Sequence, residues 1–190
     1  MRDLMLQPTS TAQWHALVQE AETRINRPLG EDIESYLVFL LQRFLNRAEI
    51  VSTMLALDYL KGLAIAGKRQ YDVLRNVGDI CLLHAGFFPR RARRRRVSIN
   101  YYIDLGSSAY YQLHQNRHHQ QGQLFACLSQ GFVAATDVLQ AMHDKSAQTP
   151  LLDSLTAYEL WEHTDSRQAR QHLASISTGS PVKPPHNKHH

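Results

Sequence analysis

The residues most clearly equipped to do chemistry are six arginines in seven consecutive positions. They are Arg90, Arg91, Arg93, Arg94, Arg95 and Arg96. A guanidinium group is permanently charged and can donate two parallel hydrogen bonds to a phosphate or a carboxylate. Neighbouring guanidinium groups repel one another unless solvent, acidic residues or a partner compensates them. The segment 90–96, here named the basic corner, therefore predicts a binding site for an anionic partner.

Several anionic partners fit the basic corner. Nucleic-acid phosphates would release counterions on binding, and Tyr101 and Tyr102, followed by Tyr110 and Tyr111, supply rings on which bases can stack. An acidic protein or an anionic membrane surface would also compensate the charge, although the two phenylalanines before the run are a small apolar anchor for a membrane. Alternatively, the arginines pair with acidic residues of neighbouring helices, cap carbonyl groups at a helix end, or remain solvated.

Three acidic residues lie within helical patterns and are candidates for buried carboxylates. Asp58 precedes Lys61 by three residues, Asp79 follows Arg75 by four, and Asp104 lies among tyrosines. A catalytic carboxylate and an interhelical salt bridge both fit these positions, because charge in a core is costly unless it is paired. We favour the salt bridges, and an enzyme that uses one of these acids is the alternative.

Other catalytic and metal-binding patterns are missing from the sequence. The eleven histidines include no Glu-x-x-His motif of the kind that builds a di-iron site in a helical bundle. Both cysteines lie in apolar patterns, and the chain has no nucleophile elbow and no glycine-rich phosphate loop. We therefore expect no metal and no cofactor.

Helices are expected to position all of these residues. Apolar residues recur at spacings of three and four along nearly the whole chain, which predicts an all-α, single-domain bundle of seven to eight helices over residues 1–177. Residues 178–190 are rich in Pro, Ser, Gly and Lys and predict a disordered tail.

Three of these helices carry specific expectations. Residues 50–66 are apolar around most of the circumference, which indicates a central helix surrounded by others. A fifth helix begins near Ser98, and its small residues 106–109 predict a close helix crossing. The apolar positions of residues 124–143 predict one continuous sixth helix.

Composition limits the environment of the protein. Its 190 residues are 43% hydrophobic and 20% charged, which suits one globular domain. Lys and Arg number 21 against 17 Asp and Glu, so without the six arginines of the basic corner the balance is 15 against 17 and turns negative. The N-terminus lacks the apolar core of a secretory signal, and no apolar stretch is long enough to span a membrane. These features predict a soluble, cytoplasmic protein.

One part of the sequence resembles a known family. The segment GDICLLHAGFFP of residues 78–89, the arginines that follow it, and YYIDLG of residues 101–106 with Ala109 and Tyr110 are similar to a pattern in an uncharacterised family of bacterial all-helical proteins. The resemblance covers residues 78–111 and implies a bacterial cytosolic protein with no assigned activity. It also implies that the basic corner and the tyrosine pairs form one unit.

Taken together, these features favour a non-enzymatic interaction or adaptor protein. It would present the basic corner, with Tyr101 and Tyr102, to an acidic protein or another anionic surface, either as a monomer or as a homodimer. The alternatives are a nucleic-acid binding protein that uses the same corner, recognisable by a steep dependence of affinity on salt, and an enzyme with a buried carboxylate in a helical pocket.

Overall fold

The computed structural model is helical throughout the residues it describes, which are 10–45, 54–94, 96–115, 122–146 and 150–176. These residues contain nine helices of nine residues or more and one of six residues. They are α1 (Ser10–Ile25), α2 (Glu31–Leu45), α3 (Leu55–Ala64), α4 (Gly67–Gly86), α5 (Pro89–Arg94), α6 (Ile99–Gln115), α7 (Gly122–Gln130), α8 (Phe132–Ser146), α9 (Ser154–Thr164) and α10 (Arg167–Ile176). The all-α prediction is confirmed, and the predicted count of seven to eight is too low. The predicted tail at 178–190 lies outside the described residues.

Helices α4, α6 and α8 form the centre of the fold because glycines let them approach closely. A methyl group at Gly106 of α6 would lie 2.6 Å from Cε2 of Phe132, the first residue of α8. A methyl at Gly78 of α4 would lie 2.7 Å from Cδ1 of Tyr110 in α6. Both distances are too short for real contacts, so only glycine fits. The close crossing predicted for residues 106–109 is therefore present, and its tightest point is Gly106.

The central position predicted for residues 50–66 is wrong for the part that the structure describes. Within α3 only Leu55 and Gly62 are buried, whereas Leu57, Leu60 and Leu63 are exposed. The helix packs mainly on α4 through one face. A helix that carries apolar residues on most of its faces is not necessarily surrounded by other helices. In α3 the residues that reach the core are Leu55 and Gly62.

The predicted sixth helix is two helices joined at Gly131. Helix α7 and the helical residues 132–144 of α8 are bent by 69° relative to each other. No single helix in the described part of the chain is long and apolar enough to span a membrane, and only the bent α7–α8 pair meets those criteria of length and composition jointly.

A buried carboxylate of α8 holds the start of α10. The Ser166 hydroxyl donates to Oδ1 of Asp137 at 2.5 Å, and the backbone N–H of Arg167 donates to Oδ2 at 2.9 Å. The Ser166 hydroxyl also accepts a hydrogen bond from the backbone N–H of Ala169, so Ser166 caps the N-terminus of α10. Burial raises the pKa of Asp137 to about 6, although these hydrogen bonds act to lower it.

Candidate functional site

The basic corner consists of the short helix α5 and the turn that follows it. Helix α4 ends at Gly86, and Pro89 begins α5. A proline suits the first position of a helix, where its missing N–H would have no partner. The side chains of Arg91 and Arg93, and all of Arg95, lie outside the described residues. The described side chains of the corner, Arg90, Arg94 and Arg96, are exposed.

A groove runs alongside the basic corner. It has a volume of about 750 Å³, and its lining includes the cations Arg90 and Arg94, the apolar side chains of Leu151, Leu152 and Ile176, and one acidic side chain, Asp153. The Arg90 guanidinium donates from Nη2 to the carbonyl oxygen of Pro150 at 2.6 Å, which ties it to the groove wall. We call this feature the corner groove. It combines cations with an apolar lining, as a binding site for an acidic segment of a partner requires.

Two arginines of the corner form no ion pair with the described residues. Neither Arg94 nor Arg96 has an acidic side chain of that part of the chain within 4.0 Å. Among the described residues, pairing with neighbouring helices therefore does not apply to these two arginines. Their charge is available at the surface.

Arg96 has a backbone conformation that rarely carries a long side chain. Its φ is 57°, in the left-handed region, and the backbone N–H of Val97 donates to the carbonyl of Ala92 at 3.0 Å. This hydrogen bond across six residues is the Schellman arrangement, in which the left-handed position is usually a glycine or an asparagine. The same arrangement ends α1, where Asn26 has a φ of 50° and the backbone N–H of Arg27 donates to the carbonyl oxygen of Glu22.

The two tyrosines predicted to flank the corner have different environments. Tyr101 is 40% exposed, whereas Tyr102 is only 3% exposed and stacks on His84 with ring centroids 5.0 Å apart. Tyr102 is therefore part of the core and its ring face is not presented to a partner. Tyr102 follows Ile99 by three residues and precedes Gly106 by four, so it lies on the buried face of α6 with them.

Only one of the three candidate buried acids is buried. Asp58 is partly exposed and pairs with Lys61 at 3.6 Å. Asp104 is 64% exposed, and its Oδ1 lies 3.4 Å from Nε2 of His163. Asp79 is 2% exposed, in the middle of the α4–α6 crossing. The corrections at Asp58 and Asp104 follow from their positions on the outer faces of α3 and α6.

Asp79 is the centre of a network that joins three helices. Its Oδ1 accepts hydrogen bonds from the hydroxyl groups of Tyr36 in α2, at 2.5 Å, and Tyr110 in α6, at 2.8 Å. Its Oδ2 faces Nη1 of Arg43 at 3.1 Å and Nε of Arg75 at 3.8 Å. Such pairing is what makes a charged carboxylate tolerable in a core.

The pKa values of this network reflect its burial. Burial raises the pKa of Asp79 above its usual value, against the opposing effects of Tyr36, Arg43, Arg75 and Tyr110. The pKa values of Tyr36 and Tyr110 are raised well above normal by burial and by the nearby carboxylate, so both hydroxyls remain protonated donors.

The sequence indicated Asp79 and Arg75, but not Tyr36 or Arg43. Tyr36 follows Ile33 by three residues and so belongs to the buried stripe of α2, which is a signal that periodicity carries. Arg43 lies on the polar face of that helix, and nothing in the sequence places it opposite α4.

The described residues contain no group of three or more His, Cys, Asp or Glu side chains placed to hold a metal ion. No protein-family model, curated protein or solved structure matches this chain. The resemblance of residues 78–111 to an uncharacterised bacterial family stays a prediction. Function must be argued from the basic corner, the corner groove and the Asp79 network.

Proposed function

We propose that this chain is a non-enzymatic interaction protein that binds an acidic segment of another protein through the basic corner and the corner groove. The observation that carries the proposal is the pair of exposed arginines, Arg94 and Arg96, which have no acidic partner within the described residues. Clustered cations without partners raise the local concentration of an anionic ligand and steer its approach.

The backbone at Arg96 supports the same proposal. A left-handed conformation is unfavourable for arginine, and such strain is commonly retained where the side chain contributes to function. A glycine at this position would fit the turn better but would remove one cation from the corner. The fold therefore accepts a less stable turn that presents a charge.

The corner groove favours an acidic protein segment over a nucleic acid. Tyr102 and Tyr110 are buried, so two of the four tyrosines that could stack bases, Tyr101 and Tyr111, are exposed. The apolar lining from Leu151, Leu152 and Ile176 suits aliphatic or aromatic side chains between acidic residues. Asp79 is enclosed by two tyrosines and two arginines, so its contacts suit a structural carboxylate better than a catalytic one.

Binding of fluorescent anionic probes would test this proposal. The probes are a peptide that alternates Glu with Leu, a peptide that alternates Ser with Leu, single-stranded RNA, duplex DNA and phosphatidylserine vesicles, each at low and physiological salt. We expect the acidic peptide to bind and the uncharged peptide not to bind. The double variant Arg94→Gln, Arg96→Gln should weaken binding by about tenfold, which corresponds to ~1.4 kcal/mol.

A variant with the same net charge provides the control. Arg24→Gln with Arg170→Gln also removes two exposed arginines, but from α1 and α10. If both double variants weaken binding equally, the effect is one of net charge and the assignment to the basic corner fails. Tighter binding of RNA or DNA than of the peptide, with a steep salt dependence, would instead favour the nucleic-acid alternative.

A further inference from the structure

A second cationic site lies in a cleft between α2 and α4. It is a pocket of about 480 Å³ lined by Arg43 from α2 and by Arg69, Asp72, Arg75 and Asn76 from α4. Three of these five side chains are cationic and one is acidic. We call this feature the cleft pocket. Val73 completes the lining, so charged and polar side chains outnumber apolar ones, unlike in the mostly apolar pockets that bind most small molecules.

The buried carboxylate of Asp79 pairs with two of these arginines, Arg43 and Arg75. The Oδ2 atom of Asp79 lies 3.1 Å from Nη1 of Arg43 and 3.8 Å from Nε of Arg75, so those two nitrogens are separated by at most the sum, 6.9 Å. The Arg75 Nε also donates to the Tyr36 hydroxyl at 3.3 Å, and its guanidinium lies 5.6 Å from the centre of the Tyr36 ring. Two flexible cations are thereby held close together by buried groups.

The same two arginines retain N–H donors that the Asp79 network does not use. Each side chain is 35% exposed, and within the described residues neither the Nη atoms of Arg75 nor the Nε and Nη2 atoms of Arg43 form a hydrogen bond. A guanidinium carries five N–H donors, so most of those in the pair are unused. Arg69 lies six residues before Arg75 in α4. It is exposed and has no acidic partner among the described residues.

We propose that the cleft pocket binds the phosphate group of a small phosphorylated molecule. Arg43 and Arg75, held by Asp79, would donate to two of its oxygens, while Arg69 and the Asn76 amide would supply further donors. With Asp72 and Asp79 included, the local charges sum to one positive charge, which an anion compensates.

An adjoining pocket offers room for the rest of such a molecule. It has a volume of about 370 Å³, shares Arg69, Val73 and Asn76 with the cleft pocket, and extends to Asp58 and Lys61. The two pockets therefore adjoin each other along α4. The Asp58 carboxylate can accept hydrogen bonds from hydroxyl groups of a ligand that enters this end.

Titration of the full chain with inorganic phosphate tests the proposal, with sodium chloride of equal ionic strength as the salt control. We expect saturable binding by calorimetry and a phosphate-dependent rise in the thermal unfolding midpoint. Arg69→Gln is the main variant, because Arg69 is exposed and does not contact Asp79. It should raise the phosphate Kd by about tenfold.

Two further variants separate a site from a general charge effect. Asp72→Asn removes the only acidic side chain in the lining and should lower the phosphate Kd, whereas Arg170→Gln, on α10, should leave it unchanged. The Arg94→Gln, Arg96→Gln variant of the basic corner should also bind phosphate as the wild type does, so this test is independent of the proposed function. Absence of saturable binding, or equal effects of Arg69→Gln and Arg170→Gln, would overturn the proposal.

Discussion

Replacing Arg96 by glycine should make the protein more stable and a weaker binder at the same time. The left-handed conformation of Arg96, with a φ of 57°, costs an L-residue roughly 1–2 kcal/mol. Glycine removes this cost but gives the unfolded chain more freedom, which offsets about 0.4–1 kcal/mol. The net expectation is a gain of about 0.5–1 kcal/mol, which for a chain of this size is a rise of about 1–4 °C in Tm.

Urea and thermal unfolding of Arg96→Gly and wild type measure this gain, and the acidic peptide reports binding. Asn26→Gly is the matched control because Asn26 occupies the same position of the same helix-ending arrangement, with a φ of 50°. Asparagine tolerates this conformation, so its replacement should change stability by less than about 0.5 kcal/mol.

The reasoning is refuted if Arg96→Gly loses 1 kcal/mol or more, since the side chain would then stabilise the fold rather than strain it. It also fails if Arg96→Gly gains stability but binds the acidic peptide as tightly as wild type. In that case the left-handed conformation of Arg96 would be strained without contributing to binding of the acidic peptide.

Two further predictions concern the core. Gly78→Ala would place a methyl group against the Tyr110 ring and should destabilise the protein by about 1–3 kcal/mol in urea unfolding, whereas Gly122→Ala, whose methyl meets nothing closer than 3.7 Å, should be neutral or stabilising; equal effects would contradict the close α4–α6 crossing. Asp137 has a pKa of about 6 when folded against 3.8 for the free side chain, so the folded state holds this proton more tightly and stability falls as pH rises from about 4 to 6. The fall attributable to this group is up to ~3 kcal/mol at 1.36 kcal/mol per unit. Asp137→Asn should remove that part of the pH dependence, and an unchanged pH profile of unfolding would show that Asp137 ionises normally.

Sequence periodicity predicted the helices well where a helix has one apolar face. The helix predicted to begin near Ser98 is α6, which begins at Ile99, because helix-starting signals act locally. Periodicity did not predict which face of α3 is buried. Apolar residues cover most faces of this helix, and the buried face is determined mainly by packing against α4. It also missed the bend at Gly131, where one residue interrupts an otherwise continuous pattern.

The candidate sites show the same division between local and distant information. The sequence indicated Asp79 together with Arg75, which lies one helical turn away, but Asp58 and Asp104 gave the same signal, and Asp58 is partly exposed and Asp104 exposed. What distinguishes Asp79 is its set of partners on α2 and α6, Tyr36 and Tyr110, which are 43 and 31 residues away in the chain. A single sequence does not contain the packing that brings them together.

The two oxygens of Asp79 serve two different parts of the molecule. Oδ1 belongs to the interior, where Tyr36 and Tyr110 bind it, and Oδ2 belongs to the cleft, where it orders Arg43 and Arg75. A substitution that suits the interior, such as an apolar residue of similar size, would leave two arginines without their anchor. One that keeps the anchor must still satisfy two tyrosines. During evolution the residues of the interior and those of the cleft therefore cannot change independently at this position, because both depend on the one carboxyl group of Asp79.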